Sequence, residues 1–361
     1  MEAVEDELRN FIKVMITVSL SLTYCYFICS RIPKGKFRLV SVLPVISIFA
    51  FFPLILSSFF LQFYFAPCIG WLANFKLLLF AFGKDDNISI NPSIPLLDFI
   101  LVTIFPIKIK QTKAFQNNTN KESLLSNTGK CVFKLDLGFF INALLWSFMV
   151  QMYVIYKEHV SSMNPIVVHF LYSSRMMFGI QIQFALIAAL AKLFISQELE
   201  PQFNNPHLST SLGNFWSKRW NLMVSNLLKS TIHEPTRSLF IPVLGRRWAI
   251  HPAILATYVV SGLMHELMHF YVGRTWPTWE VTWFFIIHGV CVTIEVETKK
   301  KASKNGWKLH PIISTPLTVG FVMATGIWLC YAELIHWGAD AREIEEYVAL
   351  VDFVKHRLRI A

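Results

Sequence analysis

Residues 39–82 read LVSVLPVISIFAFFPLILSSFFLQFYFAPCIGWLANFKLLLFAF, and Lys76 is the only charged residue among them. A helix needs about 20 mostly apolar residues to cross the hydrocarbon core of a bilayer, so this run can cross it twice. Pro44, Pro53 and Pro67 interrupt the run, and the pattern leaves the boundary between the two helices open. The stretch predicts a pair of membrane-spanning helices.

The composition of the whole chain agrees with an integral membrane protein. Of 361 residues, 54% are hydrophobic and 16% are charged, whereas a soluble domain carries about 25% charged residues. These values exclude a soluble two-domain enzyme, a disordered chain and a small disulfide scaffold. A net charge of +10 would suggest nucleic acid as the partner of a soluble protein. Here the basic residues lie between apolar stretches, so we expect membrane lipids and no nucleic acid as partners.

Eight segments are long and apolar enough to be membrane helices, at approximately 11–30, 39–60, 61–82, 135–156, 165–196, 252–273, 279–297 and 312–335. The stretch 96–107 is too short and contains Asp98, so we expect an interfacial or re-entrant helix there. We predict an all-α, polytopic fold with about eight membrane helices, within a range of seven to nine. A single membrane-embedded domain would cover residues 1–361, and the sequence indicates no oligomeric state.

The distribution of basic residues predicts the orientation of the chain. The loops 31–38, 83–134, 197–251 and 298–311 carry most of the Lys and Arg residues. Loops rich in these residues stay on the cytosolic side, so both termini are expected in the lumen. The acidic start MEAVEDELRN is unlike a signal peptide, and we expect a retained first span.

The densest group of polar residues within a predicted span is SGLMHELMHFYVGR, residues 261–274. Ionisable groups within a membrane are costly and therefore mark candidate functional sites. His265 and His269 are four residues apart and share one face of a helix. Ser261 and Gly262 lie one turn earlier and allow close approach of a substrate or another helix.

The same stretch contains His265-Glu266-Leu267-Met268-His269, which matches the H-E-x-x-H pattern of zinc proteases. In that pattern the two histidines bind zinc and the glutamate acts as base. Zinc also needs a third protein ligand, and no convincing candidate motif stands in a later span. An intramembrane zinc metalloprotease is therefore retained as an alternative of a different class.

A second group, Asn214-Phe215-Trp216-Ser217-Lys218-Arg219-Trp220-Asn221, combines two Trp, two basic residues and two Asn in eight positions. It is typical of an interfacial aromatic belt with snorkelling Lys and Arg. It also suits an anionic ligand bound by Lys and Arg at the membrane surface. The residues alone leave both interpretations open.

Other ionisable residues in the spans have structural interpretations. His288 is more typical of a buried histidine with satisfied hydrogen bonds than of a catalytic one. Arg175 and His169 are equally compatible with a polar pair between helices and with part of a pocket. Glu295 and Glu297 lie near the end of a span and can reach the interface.

Taken together, the two groups resemble the membrane-bound O-acyltransferase superfamily, and within it the plant wax synthase family of long-chain-alcohol O-fatty-acyltransferases. The likeness covers nearly the whole chain and is carried by SRIPKGKFRL at 30–39, WLANFKLLLFAF at 71–82, FPIK at 105–108, NFWSKRWNLMVSNLLK at 214–229 and VSGLMHELMHFY at 260–271.

The resemblance implies acyl transfer from acyl-CoA to a lipidic alcohol, most simply wax ester synthesis, in the endoplasmic reticulum. Acetyl-CoA:diacylglycerol acetyltransferase and sterol O-acyltransferase are alternatives within the same family, and a transporter or lipid-binding protein is one outside it. No metal or cofactor is expected, with acyl-CoA as co-substrate and a catalytic region at about residues 180–300. The expected site consists of catalytic His265 and Asn221, of CoA-binding Lys218, Arg219, Trp216, Trp220 and Arg237, and of pocket residues Ser261, Glu266 and His269.

Overall fold

The computed structural model of the protein describes residues 2–83, 92–109, 143–148, 151–152, 164–195, 198–306 and 309–358. These residues are almost entirely helical or in loops, with one isolated bridge between Ile109 and Leu199 and no strand. The predicted all-α class is confirmed. The longer helices are α1 (Glu2–Phe27), α2 (Lys36–Phe51), α3 (Leu61–Phe82), α4 (Leu96–Ile104), α5 (Pro165–Lys192), α6 (Leu212–Lys218), α7 (Leu222–Leu228), α8 (Glu234–Trp248), α9 (Ile250–Gly273), α10 (Glu280–Lys304), α11 (Pro311–Thr325), α12 (Ala332–His336) and α13 (Ala339–Leu358).

Within the described ranges, six helical segments are long and apolar enough to cross a membrane. They correspond to six of the eight predicted spans. A seventh, 252–273, is the 24-residue helix α9, whose ionisable side chains lower its hydropathy. The eighth, 135–156, falls largely outside the described residues. The predicted count of eight is therefore roughly matched.

The short helix α4 is fixed to α3 by a buried lysine. Lys76 of α3 is fully buried, and its Nζ donates hydrogen bonds to the carbonyl oxygens of Val102 and Phe105, the latter at 2.8 Å. These carbonyls lie at the C-terminal end of α4, where helices present unpaired acceptors and attract cations. The predicted short helix at 96–107 is confirmed, nine residues long.

Both ends of the chain contact the residues that precede α3. Glu7 of α1 accepts the backbone N–H groups of Ser57 and Ser58 at 2.8 and 2.9 Å. Glu346 of α13 accepts the N–H of Phe60 at 3.0 Å and the hydroxyl of Ser58 at 2.7 Å. Helices α1 and α13 therefore meet at one end of α3.

Helix α13 also supplies the partner of a buried arginine. Arg175 of α5 lies 2.9 Å from Glu343, and both side chains are almost fully buried. Of the two interpretations of Arg175, the structure supports a polar pair between helices. The partner is Glu343 rather than His169.

Helices α9 and α10 form a closely packed pair. A Cβ atom at Gly262 would lie 3.0 Å from the Cα atom of Thr282, and one at Gly289 would lie 2.9 Å from the Cβ atom of Tyr258. Small residues at such contacts let two membrane helices approach closely. This packing fixes the face of α9 that carries His265.

Candidate active site

An elongated cavity of about 900 Å³ follows one face of α9. Ile250, Ile254, Ser261, His265 and His269 all line it, and their spacing places them on one stripe of the helix. With a rise of 1.5 Å per residue, the stripe is about 28 Å long. That length is close to the thickness of a bilayer's hydrocarbon core, about 30 Å.

The end of the cavity near Ile250 is basic and well anchored. Lys218, Lys229 and Lys299 line the cavity, and Lys299 Nζ donates to Ser211 Oγ at 2.6 Å and to Glu295 Oε1 at 2.8 Å. The other oxygen of Glu295 accepts the N–H of Gly213 at 3.2 Å. Glu295 therefore holds the first turn of α6 beside α10, and this end can receive an anion.

His265 is held in one orientation and one tautomer. Its Nδ1 lies 2.7 Å from the carbonyl oxygen of Ser261. Because a carbonyl oxygen can only accept, Nδ1 carries the hydrogen and Nε2 keeps its lone pair. The ring packs near Trp71 and Phe285, at centroid distances of 5.9 and 4.4 Å. The arrangement leaves one nitrogen of a cavity-lining imidazole able to take a proton.

Asn221 lines the same cavity and caps α7. Its Oδ1 accepts the N–H of Val224 at 3.3 Å, and its φ of 38° is one that asparagine tolerates better than most residues. The cap uses the oxygen, so the Nδ2 group keeps its two hydrogens as donors.

Trp216 and Trp220 also line the cavity, and a hydrogen-bonded chain fixes Trp216. Trp216 Nε1 donates to His288 Nδ1 at 3.0 Å, and His288 Nε2 donates to Thr325 Oγ1 at 2.8 Å. Both nitrogens of the fully buried His288 are thereby used, which supports its structural interpretation. Trp220 stacks on Phe215 at a centroid distance of 5.5 Å.

Three predicted site residues lie outside the cavity wall. Arg219 donates to Asn214 Oδ1 at 2.8 Å and to two loop carbonyls at 3.0 and 3.1 Å, so its guanidinium fastens a loop. Arg237 is exposed on α8. Burial lowers the pKa of His233, which lines the basic end, and the charge of Arg237 lowers it further.

Glu266 also faces away from the cavity. It is 3% exposed, and its Oε1 accepts the N–H of Thr282 at 3.0 Å, in the first turn of α10. Gly262, one turn earlier, contacts the same residue. Glu266 and Gly262 thus form the contact surface of α9 for the first turn of α10. The other predicted site residues come together around the cavity: Lys218, Trp216, Trp220, Asn221, Ser261, His265 and His269.

His269 has a partner that the sequence analysis missed. The side chain is 2% exposed, and its Nδ1 lies 2.8 Å from Glu333 Oε2. Its Nε2 is buried and finds no partner in the described part of the chain. Glu333 stands within the predicted span 312–335, so the rule that ionisable residues in spans mark sites would have included it.

The geometry gives the zinc interpretation no ligand set. No group of three or more His, Cys, Asp or Glu side chains suited to a metal occurs among the described residues. Glu266, the base of the H-E-x-x-H pattern, faces α10 rather than the cavity. Glu333 binds His269 directly, so its carboxylate orients the His269 ring rather than serving as a third zinc ligand.

The family comparison and the comparison with individual proteins point to the same family. Residues 199–287 match the family described as Membrane bound O-acyl transferase family. The chain is 40% identical to the long-chain-alcohol O-fatty-acyltransferase of Simmondsia chinensis over 98% of both chains. It is 38% identical to the probable long-chain-alcohol O-fatty-acyltransferase 3 of Arabidopsis thaliana, over 98% of this chain and 97% of that one. It is also 38% identical to the acyl-CoA–sterol O-acyltransferase 1 of the same plant, over 96% of each.

Proposed function

The chain belongs to the plant wax synthase family of the membrane-bound O-acyltransferases, and we propose that it transfers the acyl group of a long-chain acyl-CoA to a fatty alcohol. The observation that carries this proposal is the cavity that runs from Lys218 to His265 and His269. Its basic end suits the phosphates of CoA, and its length suits a chain of membrane dimensions. The products are a wax ester and free CoA.

His265 acts as general base in this proposal. Its Nε2 takes the proton of the alcohol hydroxyl while the alcohol oxygen attacks the thioester carbonyl carbon. The C–S bond then breaks, and the CoA thiolate recovers the proton from Nε2. General base catalysis of this kind typically contributes about 10²- to 10⁴-fold.

Asn221 and the cationic residues hold the thioester substrate. The Nδ2 group of Asn221 donates toward the acyl-CoA, since the oxygen is committed to the helix cap. Lys218 binds phosphate, with Trp216 and Trp220 beside it. Arg219 and Arg237 act indirectly, through the loop that Arg219 fastens and through the charge at His233. No metal and no bound cofactor take part.

A sterol is the second candidate acceptor. The similarity to the acyl-CoA–sterol O-acyltransferase is nearly as high as that to the long-chain-alcohol enzymes. The same base and the same thioester site would serve a sterol hydroxyl, so the two candidates differ in the acceptor alone.

We place the enzyme in the endoplasmic reticulum with both termini in the lumen. The basic loops then face the cytosol, where acyl-CoA is available. Loop 197–251 carries Lys218 and Lys229, so the basic end of the cavity opens toward that side.

The test uses microsomes from a yeast without its own neutral-lipid acyltransferases. They receive labelled palmitoyl-CoA or acetyl-CoA with hexadecanol, sterol and diacylglycerol, and the esters are separated. We expect labelled wax ester, abolished in His265→Ala and unaffected by chelators. Asn221→Asp keeps the capping oxygen and removes the Nδ2 donor, so it should fold normally and lose activity. Absence of any ester from inserted wild-type protein would refute the proposal.

A further inference from the structure

Trp71 brings an unused hydrogen-bond donor to the wall of the cavity. Its indole lines the cavity, and Nε1 is buried with no hydrogen-bond partner within the ranges that the structure describes. An indole N–H can only donate. A buried donor without an acceptor costs free energy, and an acceptor atom on a ligand would remove that cost.

The position of Trp71 relates this donor to the proposed chemistry. Its ring lies 5.9 Å from the ring of His265, centroid to centroid. The indole of Trp216, in the same cavity, spends its N–H on His288. Trp71 is therefore a cavity-lining tryptophan with a free donor close to the proposed base.

The backbone around Trp71 is held in an unusual form. Residues Cys68–Ala73 form a π-helical segment, a feature frequent at functional sites. Asn74 fixes it, since its Nδ2 donates to the carbonyl oxygens of Gly70 at 2.9 Å and Ile46 at 3.2 Å. The indole is thus carried by a hydrogen-bonded segment of α3 that lies beside His265.

We propose that Trp71 Nε1–H binds the carbonyl oxygen of the acyl thioester and stabilises the negative charge that develops there. This inference rests on the proposed acyl transfer. When the alcohol oxygen bonds to the carbonyl carbon, the C=O π electrons move to oxygen, and the indole N–H donates to it. When the C–S bond breaks, the electrons return and the thiolate takes its proton from His265. Trp71 is then a catalytic residue beside His265 and Asn221.

The test compares Trp71→Phe with wild type in the microsomal assay. Phenylalanine keeps an aromatic ring and removes the N–H. Loss of one oxyanion donor lowers kcat by about 10²- to 10³-fold, with KM for acyl-CoA and for alcohol within about threefold. Trp328→Phe is the matched control, because Trp328 is 70% exposed and lies outside the cavity.

A second variant separates the donor from the packing of the ring. Trp71→His restores an N–H, so its kcat should exceed that of Trp71→Phe at least tenfold. Two results overturn the inference: a Trp71→Phe enzyme within threefold of wild type, or equal losses in the Phe and His variants with a lowered Tm. Both results count only when the wild-type protein forms ester in the same assay. Failure of this inference is therefore distinguishable from failure of the proposed function, in which the wild type itself forms no ester.

Discussion

The role of Glu266 can be decided by a single pair of substitutions. Among the described residues its one hydrogen bond runs from the N–H of Thr282, at the start of α10, to Oε1. That N–H belongs to the first turn, where a helix supplies no internal acceptor. Glu266→Ala leaves this buried donor unsatisfied, at a cost of about 1–3 kcal/mol. Glu266→Gln keeps a carbonyl oxygen at the same place.

The expected magnitudes follow from the size of the chain. An unfolding entropy of about 2.1 cal/mol/K per residue gives roughly 0.8 kcal/mol/K for this chain, so Glu266→Ala lowers Tm by about 1–4 °C. Glu266→Gln should stay within about 1 °C and keep at least a third of the wild-type rate. Thermal unfolding in detergent and the microsomal ester assay measure the two quantities.

The alternative gives a different result. If Glu266 were a catalytic base in the cavity rather than the acceptor for Thr282, the glutamine variant would lose about 10²-fold or more in ester formation at an unchanged Tm. That outcome would refute the structural role of Glu266 in holding the first turn of α10. Glu345→Gln, an exposed carboxyl on α13, is the control for removal of a glutamate charge.

Three further predictions concern buried charges and pH. Arg175→Met leaves the buried carboxyl of Glu343 without its partner and should destabilise the protein by about 3–5 kcal/mol, whereas the double variant Arg175→Met/Glu343→Leu should recover most of that loss. Thermal unfolding of wild type, Arg175→Met, Glu343→Leu and the double variant gives the coupling free energy. Lys76→Met removes the donors that hold α4, so amide hydrogen exchange over 96–104 should accelerate while that of α9 stays unchanged. Burial and the charge of Arg237 lower the pKa of His233 in the folded protein below its ordinary value of 6.5. Below pH 6.5, His233 is therefore protonated more in the unfolded chain than in the folded one, and protonation favours unfolding. The stabilisation present above pH 6.5 is then lost as pH falls toward the folded pKa, and His233→Gln should narrow the difference in thermal inactivation between pH 7.5 and 5.5.

The membrane spans and part of the site could be predicted from the local sequence. Apolar runs of about 20 residues are a direct consequence of bilayer thickness, so the long helices were predictable. The bond from His265 Nδ1 to Ser261 joins residues four apart on one helix, and the spacing already placed both on one face. The close contact at Gly262 was likewise implied by a small residue in a span.

The remaining features depend on contacts between distant segments. Lys76 binds carbonyls 26 and 29 residues away, and His269 finds its carboxyl 64 residues later. Such distances leave no periodic signal in the sequence. Helix α13 was not predicted for another reason. It is rich in Glu, Asp and Arg, so it lacks the apolar run from which the other long helices were predicted.

The junction before α3 has a consequence for how the chain is made. Ser58 is synthesised 288 residues before Glu346, whose carboxyl binds its hydroxyl. At about 5–20 residues per second, a ribosome needs roughly 15–60 s to cover that distance. During this interval Glu7 is already present, but the second carboxyl is not. A nascent chain therefore waits with the N-terminal end of its third helix half-capped until Glu346 has been translated.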